Sequence, residues 1–223
     1  MQVGDWGYTW PGYQSNHSLH KLQKMLQKHD MPMLWLDGNH ENYTDLQKRG
    51  FWQADKMCPF EDANLIQYIP RGHAWEWDGV VYMAMGGAFS IDQGSRVEGK
   101  SWWREELISY ADLETAATTL DRIGKVDVFL SHDCPEGVEK LETYLELTSK
   151  EFNINYKLDE SSRSNRHALW QVVERAKPDL LIHGHYHWPY TAVKEWDGHK
   201  MQVAGLDCNG TAKSFTILDM TVV

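Results

Sequence analysis

The sequence predicts an α/β fold with a mixed sheet, or with two packed sheets and helices outside. Short apolar runs typical of buried strands alternate with stretches of helical period through most of the chain. Strand patterns and Gly-containing turns dominate the last part. The chain has 223 residues, enough for a sizeable core, and shows no repeat or linker. A single domain over residues 1–223 is therefore expected.

Helices are predicted where apolar residues recur at spacings of three and four. The clearest example carries Leu113, Ala116 and Leu120 on one face and stops at Gly124. A polar stretch at 159–165 precedes the last helix, which Pro178 ends. The predicted helices cover residues 15–28, 113–123, 138–147 and 166–176.

Buried strands are predicted at three continuous apolar runs, "MLWL" at 33–36, "VDVFL" at 126–130 and "LLI" at 180–182. The dipeptide Asp78-Gly79 predicts a hairpin with a type I′ turn. The tail alternates apolar and polar residues around two further turn signals, at 197–198 and 209–210. It is expected to form a short antiparallel meander that includes residues 215–217.

Composition excludes several classes of function. The formal net charge of -10 argues against nonspecific binding of nucleic acid, although a bound cation would still permit a phosphorylated substrate. No signal peptide and no membrane-spanning run is present, so no membrane partner is expected. The three cysteines are far apart and favour a reducing compartment, the cytoplasm. They are Cys58, Cys134 and Cys208.

Metal-type ligands follow each of the three predicted buried strands, and Asp5 follows a fourth short run, "QV" at 2–3. Because ligands gather beyond the carboxyl ends of strands in α/β sheets, these groups are expected to converge. Nitrogen and oxygen ligands without thiolate suit Mn, Fe, Zn or Ni, and a bridging carboxylate could hold two ions about 3.5–4 Å apart. A histidine held near them beside a carboxylate suits proton donation. The groups are Asp5, the run Asn39-His40-Glu41, His132, and the trio His183, His185 and His187.

Four motifs resemble those of the calcineurin-like metallophosphoesterases, and they occur in that family's order. They are "GDWG" at 4–7, "GNHE" at 38–41, "SHD" at 131–133 and "GHYH" at 184–187. The stretches "DGNHEN", "GGAFSID" and "WWREE" look like a bacterial and phage branch of the family. The resemblance covers nearly the whole chain and implies a four-layer αββα sandwich with metals at the sheet edge.

The resemblance also implies an activity. The chain would hydrolyse a small phosphodiester or phosphomonoester, such as a nucleotide, through a metal-activated hydroxide, in the host cytoplasm if it comes from a phage. Manganese is the expected ion, with iron, zinc or nickel as alternatives, and one or two ions bind. His40 would contact the phosphate and protonate the leaving group, and Glu41 would orient it. The implied metal ligands are Asp5 as the bridge, then Asn39, His132 and His185 at one metal, and His187 at the other.

One motif of the family is absent. A D-x-H should precede the G-D motif, but Met1 stands three residues before Gly4. Two explanations stay open at this point: an internally started or truncated product of a longer gene, or a natural short form that holds one metal well and a second weakly. Alternatively, Asp5-Trp6-Gly7 is the first motif with its histidine lost. His17 and His20 could substitute for the missing ligands, but are expected to face solvent.

The missing motif opens two further possibilities. A sheet that lacks its first strand could pair with a second copy, so a homo-oligomer is possible. A degenerate phosphoesterase fold acting as a binding or regulatory module is the alternative to an enzyme. The intact ligand residues favour the enzyme.

Two other features suggest phosphate binding. "GSRVEGKS" at 94–101 matches the Walker A pattern, which requires a strand running into Gly94 and a helix starting at Lys100. The preceding apolar run ends near Met85, so a surface loop is expected instead, with a lid over the metals as an alternative. Arg163 and Arg166 could bind a phosphate but are expected to be solvated at the start of a helix.

Overall fold

The computed structural model describes residues 1–7, 15–151 and 156–218. The described helices are α1 (Ser15–Lys28), α2 (Tyr43–Lys48), α3 (Tyr110–Ile123), α4 (Glu139–Glu151) and α5 (Tyr156–Ala176). The described strands are β1 (Gln2–Val3), β2 (Met33–Leu36), β3 (Cys58–Phe60), β4 (Ala63–Tyr68), β5 (Ala74–Trp77), β6 (Val80–Met85), β7 (Val128–Ser131), β8 (Leu180–His183), β9 (Tyr190–Trp196) and β10 (His199–Gly205).

The strands form two mixed sheets. The four-stranded sheet has the order β1-β2-β4-β3, and the six-stranded sheet has the order β5-β6-β7-β8-β10-β9. Strands β1, β2 and β4 run parallel, as do β6, β7, β8 and β10, while β3, β5 and β9 are antiparallel edge strands. The predicted α/β class is therefore confirmed.

The core consists of three apolar clusters that cover the faces of the two sheets. One packs α3, α4 and α5 on the six-stranded sheet, and a second packs α1 and α2 on the four-stranded sheet. The third joins residues of both sheets, among them Leu34 and Leu36 of β2 with Leu130 of β7. Because side chains alternate along a strand, Trp35 points the other way, into the helical cluster. The predicted four-layer arrangement agrees with these clusters but stays a prediction.

Several predicted elements have the expected bounds. Helix α1 and strand β2 cover the predicted residues, and α3 begins at a capping box formed by Ser109 and Asp112. Asp78 and Gly79 have φ values of 51° and 81°, so both central residues of the hairpin turn are left-handed, as a type I′ turn requires. Gly124 ends α3 with φ 78°.

Other expectations are wrong. The polar stretch at 159–165 belongs to α5, because Asn165 and Arg166 are buried and bonded on the inner face of that helix. No strand forms at 215–217 in the described residues, so the predicted meander ends as the single hairpin β9–β10. Elements α2, β3 and β4 were not predicted, since polar residues such as Asn64 and Gln67 interrupt the apolar pattern of β4.

Strand β1 directly precedes the "GDWG" motif, upstream of which the family's D-x-H motif would lie. Strand β1 has two residues and lies at the edge of the four-stranded sheet, where it pairs with β2. The prediction that the sheet lacks a further strand beside β1 stays a prediction. Among the described residues, no helix combines the length and the apolar character needed to cross a bilayer.

Candidate metal centre and active site

The predicted ligands follow the ends of four strands, two from each sheet. Asp5 follows β1 and Asn39 follows β2, while His132 follows β7 and His185 follows β8. Each pair of strands is parallel and adjacent, so its carboxyl ends lie at the same edge. The packing of the two sheets then brings the two edges together, and Nδ1 of His132 donates a hydrogen bond to the carbonyl of Val3 in the other sheet.

Two side chains meet at one nitrogen of His132. His132 Nε2 lies 3.2 Å from Asp5 Oδ2 and 3.1 Å from Asn39 Oδ1. The other ring nitrogen, Nδ1, donates to the carbonyl of Val3 at 2.7 Å, which fixes the ring orientation. The ring centroid of His185 is 5.1 Å from that of His132. The sequence prediction that these residues converge therefore agrees with the structure.

The donor set fits a divalent transition metal. Ligand atoms that share an ion through bonds of about 2.0–2.2 Å lie roughly 3 Å from each other, as these atoms do. A ring nitrogen bonded to a backbone carbonyl is also typical of metal-binding histidines. Counting His, Cys, Asp and Glu alone, the described residues contain no group of three that could hold a metal. The third close donor here is an amide oxygen, that of Asn39.

The cluster pairs opposite charges, and a bound cation would take the place of the His132 proton. Burial alone would raise the pKa of Asp5 and lower that of His132. The attraction and hydrogen bond between them outweigh burial, so the pKa of Asp5 is lowered and that of His132 is raised. Burial lowers the pKa of His185 to about 4, so its ring is neutral, the form that binds metals.

A buried hydrogen-bond chain orients Asn39. Its Nδ2 donates to Ser90 Oγ at 2.9 Å, which leaves Oδ1 directed at His132. Ser90 Oγ and its backbone N–H both donate to the carboxylate of Glu106, each at 2.8 Å. Burial raises the pKa of Glu106 to about 7.

His40 lies beside the cluster. Its backbone N–H donates to Asp5 Oδ1 at 2.8 Å, and Arg96 Nη1 lies 2.7 Å from its Nδ1. Burial, followed by the charge of Arg96, lowers the pKa of His40, while the charge of Asp5 opposes this shift. Because a guanidinium can only donate, the contact requires an unprotonated Nδ1.

Glu41 bonds the backbone of the loop that follows Asp5. Its fully buried carboxylate accepts hydrogen bonds from the backbone N–H groups of Trp6 at 2.7 Å and Gly7 at 3.3 Å. Burial, and then the charge of Asp5, raises its pKa well above the usual value. Glu41 thus holds the loop that carries Asp5, and its predicted action on His40 stays a prediction.

A cavity of about 810 Å³ adjoins the cluster. Asp5, His132, His185 and His187 line it together with apolar residues from both sheets. His187 therefore lies in the same cavity as the other predicted ligands. His183 is buried in β8, and its Nε2 lies 2.7 Å from the hydroxyl of Tyr190, so its ring is engaged within the fold.

The remaining candidates lie elsewhere in the fold. His17 and His20 are exposed on α1, as expected. Arg163 is exposed and lies 3.4 Å from Asp159. The sequence suggested that Arg166 is solvated, and this is wrong. Arg166 is buried, and its Nη2 lies 2.5 Å from Glu142 Oε1.

The Walker A interpretation is also excluded. Gln93–Ser95 form a 3₁₀ turn, and the next helical element in the described chain, Arg104–Glu106, is again a 3₁₀ turn. Gly94 therefore does not follow a strand directly, and Lys100 does not begin a helix. The stretch at 94–101 is a surface loop, as predicted from the sequence.

Sequence reasoning missed the residues that support the cluster. Ser90 and Glu106 lie in "GGAFSID" and "WWREE", stretches that carried part of the resemblance without an assigned role. Arg71, which anchors the turn after β2, gave no signal in the sequence. Arg96 lies inside the Walker-like stretch.

Comparisons with known proteins add little to this description. No family model matches the chain, and no curated protein matches it. Among solved structures, the chain is similar to GAP50, the anchor in the inner membrane complex of Plasmodium, at 10% sequence identity and a TM-score of 0.39. The match covers 96% of this chain and 73% of the other. A likeness this weak carries no argument.

Proposed function

We propose that this chain is a metal-dependent hydrolase of small phosphoesters. The observation that supports the proposal is the meeting of Asp5 and Asn39 oxygens at Nε2 of His132, within 3.2 and 3.1 Å. The three residues come from three strand ends, and His132 is 93 positions from Asn39. A fold has no need of such a cluster, because burying polar groups costs free energy.

The protein residues hold the donors in place. A divalent transition metal, manganese first among the candidates, would polarise a phosphoryl oxygen and acidify a water there. The carbonyl of Val3 fixes the ring of His132, and Ser90 fixes the amide of Asn39. The carboxylate of Glu41 fixes the loop that carries Asp5. Each donor is thus preorganised, which reduces the cost of binding the ion.

His40 is the proposed proton donor to the leaving group. It is tied to the cluster by its own backbone N–H, which donates to Asp5. Its neighbour Arg96 opposes protonation of the ring, whereas a phosphate anion bound beside the ring would favour it. Substrate binding would therefore prepare His40 for its role.

Charge and cysteine content suggest the setting. The net charge of -10 disfavours long polyanionic substrates, so a small ester such as a nucleotide is proposed. Cys58, Cys134 and Cys208 are all free, which suits a reducing compartment such as the cytoplasm.

Hydrolysis of bis-p-nitrophenyl phosphate, with and without Mn²⁺, tests the proposal. We expect turnover that depends on Mn²⁺. We expect His40→Ala to lower kcat by about 10²–10⁴-fold, the usual contribution of a general acid. Asn39→Ala should weaken Mn²⁺ binding by about tenfold or more, measured by calorimetry. His17→Ala, which removes an exposed histidine, is the matched control and should behave as the unaltered chain.

One outcome would contradict the proposed activity, and another would contradict the proposed site. Tight Mn²⁺ binding without turnover of any phosphoester would favour a binding or regulatory module instead. Turnover that survives both Asn39→Ala and His40→Ala would show that the reaction occurs elsewhere.

A further inference from the structure

The loop at 91–102, which contains the Walker-like stretch, reaches the candidate active site. It is braced internally, because the backbone N–H of Val97 donates to Ser101 Oγ at 2.9 Å and that of Gly99 donates to the Trp102 carbonyl at 2.7 Å. Arg96 projects from this loop, and its Nη1 donates to the Ser101 carbonyl at 3.1 Å. The loop thus presents one arginine in a defined position.

The guanidinium of Arg96 is held on one side and faces the site on the other. Nε lies 2.8 Å from Asp92 Oδ2, and Nη2 lies 2.7 Å from the same oxygen. Nη1 and Nη2 face the ring of His40, at 2.7 Å from Nδ1 and 3.4 Å from Nε2. The Arg96 side chain is 19% exposed, so it lies at the boundary between the site and solvent.

The Arg96–His40 pair is complementary to an anion. The guanidinium of Arg96 offers only donors, and a neutral His40 whose Nδ1 accepts from Arg96 keeps its one N–H on Nε2, so both residues carry a donor beside the metal ligands. An anion that displaces the direct contact between them would accept hydrogen bonds from both. Arginine binds phosphate through two parallel N–H bonds to two oxygens, a geometry that lysine cannot reproduce.

We propose that Arg96 and His40 form a phosphoryl-binding subsite that selects phosphomonoesters over phosphodiesters. The role of this subsite in hydrolysis rests on the proposed function, whereas its ability to bind phosphate does not.

The selection follows from charge and oxygen count. A phosphomonoester carries about -1.5 to -2 charges at neutral pH and three terminal oxygens. A diester carries one charge and two such oxygens, so a two-pronged contact with Arg96 would engage both, and the metal and other donors would have to share them. The phosphomonoester, with its extra charge and oxygen, should therefore bind more tightly to Arg96 than the diester does.

Binding of unreactive anions tests the subsite without relying on turnover. Inorganic phosphate represents the dianionic phosphoryl group and dimethyl phosphate represents the diester, each titrated into the full Mn²⁺-treated chain by calorimetry. We expect Arg96→Ala to weaken phosphate binding by about tenfold or more and Arg96→Lys to weaken it less. Dimethyl phosphate binding should change by less than about threefold. Arg104→Ala removes an arginine that is 78% exposed and should leave both affinities unchanged.

The catalytic readout is the ratio of kcat/KM for p-nitrophenyl phosphate to that for bis-p-nitrophenyl phosphate. Arg96→Ala should lower this ratio by about tenfold or more, with an unchanged melting temperature. Unchanged phosphate affinity in Arg96→Ala would overturn the subsite. Equal loss for phosphate and dimethyl phosphate would overturn the selectivity. If the unaltered chain hydrolyses neither ester, the proposed function fails, while the two titrations still decide the subsite.

Discussion

Asn39 shows how a single side chain is prepared for a role at this site. An amide can present either its oxygen or its nitrogen, and the bond from Nδ2 to Ser90 determines which one faces His132. Ser90 in turn is held by Glu106 through two bonds. The position of the candidate ligand oxygen therefore depends on a carboxylate two contacts away.

Glu106 also predicts a pH dependence of stability. Its pKa is about 7 in the fold, mainly through burial, and near 4.5 when unfolded, so the folded chain holds more protons between these values. The free energy of unfolding should therefore fall as the pH rises from about 4.5 to 7, by about 3 kcal/mol from this group. Urea denaturation of Glu106→Gln across this range should lack this component. Parallel pH profiles for the unaltered chain and the variant would show the expectation to be wrong.

At the scale of elements, the strand ends can meet because small residues occupy the points of closest approach. A Cβ placed on Gly38 would lie 2.2 Å from Asp5 Oδ1, and one on Gly4 would lie 2.1 Å from His132 Nδ1. Gly4 also has φ 93°, which strains any other residue. These glycines belong to the motifs that the sequence made visible.

Gly38→Ala tests the close approach. The added methyl must displace the Asp5 loop, so we expect a loss of about 1–3 kcal/mol of stability and at least tenfold weaker Mn²⁺ binding. Gly94→Ala, where no atom lies within 4 Å of the added Cβ, should change the stability by less than about 0.5 kcal/mol. Both are measured by urea denaturation and calorimetry, and equal behaviour of the two variants would refute the steric argument.

At the scale of the whole molecule, a buried arginine links the strand ends to the helical layer. Arg71 lies just beyond β4 and pairs with Asp37 at 2.6 Å and with Asp112 of α3 at 3.1 Å. Tyr43 and Tyr68 also donate to Asp37. The turn that carries Asn39 and His40 is thus anchored by contacts with β4, α2 and α3.

Arg71→Met should reveal this anchor. It leaves the carboxylate of Asp37 buried without its cation, so we expect a loss of about 3–5 kcal/mol in the free energy of unfolding. Arg104→Met, at an exposed ion pair, should cost less than about 1 kcal/mol. Similar midpoints of urea denaturation for the two variants would contradict the anchoring role.

The candidate site was partly predictable because its ligands follow a local rule. Asp5, Asn39, His132 and His185 each come directly after a strand that an apolar run or a motif makes visible in the sequence. The helix predicted at 166–176 was too short, because its first turns depend on contacts that are not local. Asn165 and Arg166 look solvated in one dimension, but the fold buries them against partners more than 20 positions away.

The sequence by itself determined the α/β class, the main buried strands and the residue types gathered at their ends, since these depend on periodicity and on neighbours along the chain. Only the tertiary structure decided which side chains support them. Ser90 meets Asn39 across 51 positions, and Arg96 meets His40 across 56. Such contacts depend on how the two sheets and the loop between β6 and α3 pack, and no spacing along the chain records that packing.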